Sequence, residues 1–396
     1  MKTRTQRSLI TVGLALGLGL TGLQAQSTQP DRNASLRQEI DLAISKGLAF
    51  LKTQQKDTGA WSNPEEPAIT ALVLSAFAAD PTRKPSDALP SEADKGYKFI
   101  LSNAKEDGGI YAKGRANYNT SLSLLALTLN AKPEYEQTIL KARRFVVGQQ
   151  NDFDAKGSTD NAFDGGIGYG RPGPNSPAHA DLSNTHFALE SLYYSKRLFE
   201  DKGTPEDKKN DLNWAAAIKF VERCQNRPES NDQAWASNDP KNAGGFVYEP
   251  GVSKAAEVDK LPDGRTALRS YGSISYAGML SFIYAGLAPE DPRIQAVLKW
   301  LGDNFTLEEN PGLGQEGKFY YYHTMAKALS VANLDELKTK DGKTVDWRNE
   351  LGRHLLNIQK PDGSWLNDTG RWMENDPVLM TAYTLLALEH TYRALQ

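Results

Sequence analysis

The sequence predicts an all-α protein in which about six helix pairs close into a double ring, and three observations carry that expectation. A helix, a Gly-aromatic loop and a second helix recur along the chain. The first helix of each unit carries charges at helical spacing, as in "DPRIQAVLKWL", and so exposes one face. Second helices such as "AITALVLSAFAA" and "TSLSLLALTL" carry no Lys, Arg, Asp or Glu in those spans and must be buried on nearly every side. Polar helices outside and apolar helices inside make a two-layered ring. An open solenoid would satisfy the same pairing but would need polar caps on its end repeats. The last repeat has the same apolar second helix as the first, which favours closure.

The units follow one another in order. "QQKDTGAW" precedes the first apolar helix, and "ADKGYKFILSNAKEDGGIYAKGRANYNTSLSLLALTL" contains the whole second unit. In the third, "TILKARRFVVGQQ" leads through "FDGGIGYG" to "DLSNTHFALESLYYSKRL". The fourth runs from "LNWAAAIKFVERCQ" through "AGGFVYEPG" to "YGSISYAGMLSFIYAGL", and the fifth from "DPRIQAVLKWLGDNF" to "GLGQEGKFYYYHTMAKALSVA". The sixth sets "QKPDGSW", Gln359 to Trp365, between "NELGRHLLNIQ" and "PVLMTAYTLLALEHTYRAL". Pro-Asp-Gly is turn chemistry, because Pro fixes φ at the first corner and Gly accepts positive φ. Two connections, 151–177 and 226–268, exceed the usual length and carry Gly-Gly with aromatics, so they are placed over one mouth of the ring.

Composition bounds the function. Hydrophobic content of 39% with 24% charged residues describes a soluble globular chain. Its start differs in kind: "MKTRTQR" is a basic n-region, "SLITVGLALGLGLTGL" an apolar h-region, and a cut after Ala25 follows. The expected organisation is a signal peptide over 1–25, a flexible leader over 26–35 and one ring domain over 36–396. No Cys follows the h-region, which argues against a lipid anchor. Cleavage takes the formal charge from −3 to −6 and leaves no basic run, so nucleic acid is not an expected partner. No integral membrane segment is expected after cleavage, and the mature chain is read as a secreted or periplasmic monomer. Cys224 is the only cysteine, so no intramolecular disulfide forms, and its place in "IKFVERC" reads as helix packing near Val221.

With these repeats the chain resembles the α/α-toroid superfamily of squalene/terpene cyclases and protein prenyltransferases, over roughly Leu36 to Gln396. "QKPDGSW" is similar to the cyclases' QW motif, in which Gln and Trp staple neighbouring helices. The resemblance implies an (α/α)6 toroid, with second-helix starts converging on the ring's mouth. The family's catalytic motifs are not matched. Cyclases protonate an alkene with the middle Asp of a DxDD motif followed by Thr; in "DLSNT" Asp181 and Thr185 fit, but Ser183 stands in the acid's place and Asn184 in that of the last Asp. Prenyltransferases hold zinc through Asp, Cys and His; Tyr271 and Ser273 occupy the first two positions and only His323 matches. Complement-like thioester domains need Cys-Gly-Glu-Gln, and Cys224 continues with Gln225 and Asn226. No metal and no cofactor is expected.

The candidate residues follow from convergence at the mouth. His323, flanked by tyrosines, and Asp181 are the candidate catalytic groups, since His can act as acid or base near neutrality. The candidate ligand-binding set is Tyr271, Ser273, Tyr276, Tyr322, Asn184, His186, Tyr118, Glu66 and Arg269. Asn117, Asn375 and Asp376 read as helix N-caps. The recurring aromatics, among them Tyr118, Tyr169, Tyr248 and Tyr271, suit an isoprenoid or a sugar ring, so the expected ligand is a small molecule of either kind, or a protein. Three functions stay open: a toroid that binds a ligand or partner at its mouth, a divergent isoprenoid cyclase, or a polysaccharide lyase or glycosidase by analogy of fold. "DFDAKGSTDNAFDGG" is a weak match to a calcium loop, because Lys156 and Phe163 stand where oxygen ligands are needed.

The export expectation has a direct test. Intact-mass measurement of the protein collected from outside the cytoplasm should place its first residue at Gln26; a chain retaining Met1 in that fraction would refute the cleavage.

Overall fold

The structure is a computed structural model that describes residues 31–396 apart from 85–86, 153–160, 171–178, 256–257 and 262–263. The signal segment and residues 26–30 of the leader lie outside the described residues, as does much of the calcium-like stretch. Two helices open the ring domain, α1 (Ala34–Thr53) and α2 (Pro67–Ala79). They are followed by α3 (Ser91–Ser102), α4 (Ala116–Asn130), α5 (Glu136–Val147) and α6 (Leu182–Tyr194). Two short helices, α7 (Lys196–Lys202) and α8 (Pro205–Lys209), lead to α9 (Trp214–Glu222) and α10 (Gly272–Tyr284). Then come α11 (Pro292–Asp303), α12 (Lys318–Val331), α13 (Trp347–Asn357) and α14 (Pro377–Ala394).

The apolar helices form the inner ring. Each of α2, α4, α6, α10, α12 and α14 packs on the next, and α14 returns to α2, so the ring is closed. Their burial follows from their composition: Pro67 to Phe77 of α2 is an unbroken run of buried residues, as is Val378 to Glu389 of α14. The amphipathic helices seat outside them, α1 against α14 and α2, α5 against α4 and α6, α13 against α12 and α14. The chain is therefore an all-α double ring of six helix pairs, an (α/α)6 toroid.

One local device repeats around it. A loop glycine at positive φ turns the chain after the outer helix: Gly59, Gly108, Gly165, Gly244 and Gly363. At each, a Cβ would come within about 2.0–2.6 Å of a backbone carbonyl oxygen in the outer helix of the following unit, so only glycine fits. Two residues later the backbone N–H donates to a hydroxyl on the unit's own inner helix: Trp61 to Thr70, Ile110 to Thr120, Ile167 to Thr185, Phe246 to Ser275 and Trp365 to Thr381, at 2.8–3.2 Å. The two tryptophans add a third tie, each indole N–H donating to the last turn of its outer helix, at Leu51 and Leu355.

Glutamines join one unit to the next. Gln55, Gln150, Gln225 and Gln359 each donate to the carbonyl of their own loop glycine, and also to the following unit at Glu92, Asn213, Arg293 and Ala43. For Gln359 the following unit is the first one. Its amide reaches the Ala43 carbonyl of α1 at 3.0 Å, tying the sixth unit to the first.

Three features depart from the sequence expectation. The third apolar run ends at Tyr194 rather than continuing to Leu198, because buried Arg143 binds the Leu192 carbonyl, Ser195 Oγ and Asp211 and pins a corner there. Two short antiparallel hairpins, β1 (Val258–Lys260) with β2 (Thr266–Leu268) and β3 (Glu336–Lys338) with β4 (Thr344–Asp346), decorate connections read as loops. Asn117 and Asn375 are not N-caps: α4 starts at Ala116, and the Asn117 amide donates instead to the Gly168 carbonyl. Asp376 does cap α14, accepting from Val378 N at 2.8 Å.

The glycine device can be separated from simple backbone strain. Gly286 and Gly363 share φ near +90°, but nothing stands within 4 Å of a Cβ at Gly286, whereas Lys46 O would lie 2.5 Å from one at Gly363. Gly286→Ala should cost roughly 1–2 kcal/mol and Gly363→Ala about 2 kcal/mol more, read from urea denaturation midpoints. Equal losses would show that the inter-unit contact carries no weight.

Candidate functional site

Every inner helix has its N-terminus at the same end of the ring, where six positive helix ends would converge. The chain meets them with its own acceptors, drawn mostly from the following unit. Ala68 N donates to Asn119 Oδ1 and Asn117 N to the Tyr169 carbonyl, both at 2.9 Å, and Leu182 N donates to the Tyr248 carbonyl at 2.8 Å. Gly272 N donates to the Pro311 carbonyl and Ser273 N to Asn310 Oδ1. Phe319 N and Tyr320 N share one Glu374 oxygen at 3.0 and 3.1 Å. At α14 the cap is Asp376, whose other oxygen accepts from Ser62 of the first unit.

Inside this collar lies a cavity of about 190 Å³, more than ten times what one buried water needs. Its upper wall carries Glu66, Arg115, Tyr169, Tyr248, Tyr271, Ser273 and Trp372. Tyr118, Phe187, Tyr320 and Tyr383 continue the lining, in ring contact at centroid distances of 5.5–6.0 Å for Tyr118–Phe187, Phe187–Tyr320 and Tyr320–Tyr383. Ile69, Ile274 and Leu379 add aliphatic surface to the same wall. The Arg115 guanidinium faces the Glu66 carboxylate at 3.2 Å.

Backbone strain gathers at the same place. Among the described residues six non-glycine residues have left-handed φ, and Arg115, Trp372 and Met373 of these line the cavity. Such conformations cost about 1–3 kcal/mol each and persist where surrounding contacts enforce them. Here the Arg371–Glu316 ion pair and the Asn367 amide on the Gln315 carbonyl clamp the segment carrying Trp372 onto the neighbouring unit.

Of the sequence candidates, Glu66, Tyr118, Tyr271 and Ser273 lie on the cavity wall. Asp181 and Asn184 stand behind it. The Asp181 side chain is fully buried and accepts from Asn184 N at 2.9 Å and Asn184 Nδ2 at 2.8 Å, and His179 Nε2 lies 3.7 Å away. Burial pushes its carboxyl up to about 6, opposed by the Asn184 hydrogen bonds, the His179 charge and the Tyr248 hydroxyl. Glu374 is likewise raised by burial, against the bonds from Asn367 and the α12 N–H groups.

The remaining candidates point elsewhere. His323 lies a turn below the floor, stacked on Tyr383 at 5.3 Å with neither ring nitrogen hydrogen-bonded. His186 is fully buried near Glu190, which pairs with Lys327 at 2.6 Å. Burial and the Lys327 charge hold both histidines well below their ordinary value, hence neutral. Tyr322 turns outward to the Leu307 carbonyl and His354, and Tyr276 packs against Tyr321 away from the wall. Arg269 precedes α10 but does not line the cavity. Sequence reasoning missed Phe187, Tyr320, Trp372, Glu374, Leu379 and Tyr383. A signal was available: the third residue of an inner helix faces the axis at Ile69, Tyr118, Ile274, Tyr320 and Leu379, which an alignment of the units would expose. Among the described residues no group of three or more His, Cys, Asp or Glu could hold a metal ion, and no helix is long and apolar enough to cross a membrane.

No family model matches the sequence, and no curated protein does. Solved structures share the fold. The apo type II terpene cyclase MstE from Scytonema aligns over 90% of this chain and 99% of its own, with TM-score 0.53 and 11% identity. A variant of the same protein in complex with geranylgeranyl dihydroxybenzoate aligns over 91% and 99%, with the same score and identity. An inactive variant of the alpha-1,6-mannanase GH76A of Salegentibacter sp. HEL1_6, in complex with alpha-1,6-mannotriose, aligns over 90% and 99% with TM-score 0.56 and 11% identity. At that identity the likeness is one of fold.

The buried Asp181 carboxyl should mark the pH dependence of stability. Its folded value of about 6 lies above the ordinary 3.8, so its contribution is full below pH 3.8 and is lost as pH rises through 6. Asp181→Asn, which keeps the helix cap, should gain on the wild type by on the order of 2–3 kcal/mol between pH 4 and 7. Parallel stability profiles for the two proteins would refute the burial of an ionisable group there.

Proposed function

We propose that this protein is an exported toroid that binds an apolar, isoprenoid-like small molecule in the cavity enclosed by the first turns of its inner helices. The observation that carries the proposal is the wall itself. Phe187, Tyr118, Tyr320 and Tyr383 with Ile69, Ile274 and Leu379 present aromatic and aliphatic surface, while the charged lining residues are Glu66, Arg115 and Glu374. Concave, mainly apolar sites with a few placed polar groups are how proteins hold small molecules, and each 100 Å² of apolar ligand surface covered is worth about 2.5 kcal/mol before the cost of ordering. The strained Arg115, Trp372 and Met373 support the same proposal, since enforced strain at a cavity rim accompanies ligand sites. Toroids of this fold hold both kinds of ligand weighed here: MstE a geranylgeranyl compound, the mannanase a mannotriose. The closed, aromatic floor favours the first kind for this chain.

The test uses Trp372, which lines the cavity, as reporter. Geranylgeraniol added to the purified protein should change its tryptophan fluorescence saturably, and Trp372→Phe should remove most of that change. Ser183→Phe, which fills space beside Tyr320, should weaken binding by about tenfold or more, a loss of about 1.4 kcal/mol. Absence of saturable binding by farnesol and geranylgeraniol overturns the proposal, and saturable binding of mannotriose in their place transfers it to a glycan.

A further inference from the structure

The capping collar has a consequence for what the cavity can select. A helix N-terminus attracts anions because its first N–H groups lack partners. Six such ends meet at this mouth, yet N–H groups in the first turn of each are already bonded to the chain's own oxygens. The acceptors are Asn119, the Tyr169 and Tyr248 carbonyls, Pro311 with Asn310, Glu374 and Asp376. Three of the caps are carboxyls, Asp181 on α6, Glu374 on α12 and Asp376 on α14. Glu374 also forms part of the wall, together with Glu66.

The two arginines at the mouth are paired with carboxylates, and the nearby lysine lies on an aromatic face. Arg115 faces Glu66, Arg371 is paired with Glu316, and Lys254 lies 4.1 Å over the Tyr248 ring. What the wall offers an incoming head group is hydroxyls: Tyr169, Tyr248, Tyr271, Ser183 and Ser273. Tyr248 and Tyr169 are held beside Asp181 and Asn184, with burial and the Asp181 charge both opposing ionisation of their phenols. A neutral hydroxyl can exchange hydrogen bonds with this set, whereas a carboxylate or diphosphate would be desolvated beside carboxyls.

Resting on the proposed apolar ligand, we infer that the cavity selects a ligand with a neutral, hydroxyl-bearing head group and rejects its anionic counterparts, with Asp181 and Glu66 as the residues that set this preference. Asp181 acts here through Tyr248 and Tyr169, as a positioning residue; Glu66 faces the head group directly and holds Arg115 in an ion pair.

Three probes with one tail test it: geranylgeraniol, geranylgeranoic acid and geranylgeranyl diphosphate, titrated at pH 7.5 and low salt. The wild type should bind the alcohol about tenfold or more tightly than either anion. Glu66→Gln, which frees the Arg115 guanidinium, should narrow that gap from the anion side. Asp181→Asn should narrow it as well, with thermal denaturation at the same pH confirming that the variant is folded. Anions bound as tightly as the alcohol by the wild type overturn this inference and leave the apolar cavity standing. An alcohol preference unchanged in both variants overturns the assignment to these carboxyls. Failure of all three probes overturns the binding proposal itself.

Discussion

The loops that end five of the six outer helices cannot be completed by their own units, and the rest of the structure depends on that. A glycine at positive φ presses against the next outer helix, and a glutamine amide donates across the same seam, as Gln55 does to Glu92 and Gln225 to Arg293. A second seam runs around the mouth, where the inner-helix N–H groups find acceptors one unit further on. A single helix pair therefore leaves both a carbonyl contact and a helix end unsatisfied. Each defect is corrected by adding the following pair, and the last is corrected only by the first.

The cavity is a product of the same arrangement. Its wall takes residues from the first turns of all six inner helices, so no unit contains a site. Convergence of helix ends would ordinarily build a strong anion trap, but the internal caps spend that potential on the fold. The interior is left with aromatic faces and hydroxyls, a chemistry quite unlike that of phosphate-binding helix termini. Deeper on the axis the lining changes again, to the Glu190–Lys327 pair and neutral His186 and His323, separated from the cavity by the Phe187, Tyr320 and Tyr383 rings.

The architecture was legible because charge is segregated between the two helices of every unit and because the turn chemistry repeats. "QKPDGSW" looked like a turn closed by an unexplained tryptophan; the Trp365 backbone and indole N–H groups prove to bind Thr381 and Leu355, while Gln359 serves the seam. Three-residue strands such as Glu336–Lys338 are too short to leave a periodic trace. Convergence of the helix starts places Glu66, Tyr118, Tyr271 and Ser273 on the cavity wall. On α12 it is Tyr320 and not His323, three residues on, that faces the cavity, and the sequence could not tell them apart because a helix buried all round has no polar face to reveal its rotation. Thr185 could be matched to a motif, but its task, accepting from the Ile167 backbone, became clear only from the fold. Trp372 sits in a left-handed turn that no sequence pattern announces.

The tie between Gln359 and Ala43 spans 316 positions in the chain, and Arg37 of α1 donates to the Leu395 carbonyl across 358. Contacts so remote in sequence repay little until nearly the whole polypeptide is in place. During synthesis the first five units would emerge with α2 and α1 still lacking the neighbour that covers them. The ring would thus remain an open arc with exposed apolar flanks until α14 arrives, and docking of that final helix converts a graded stack of repeats into one cooperative body. The same adjacency of the domain's two ends means that a short linker across them, with new ends cut in a surface loop, would permute the order of the units without disturbing a single seam.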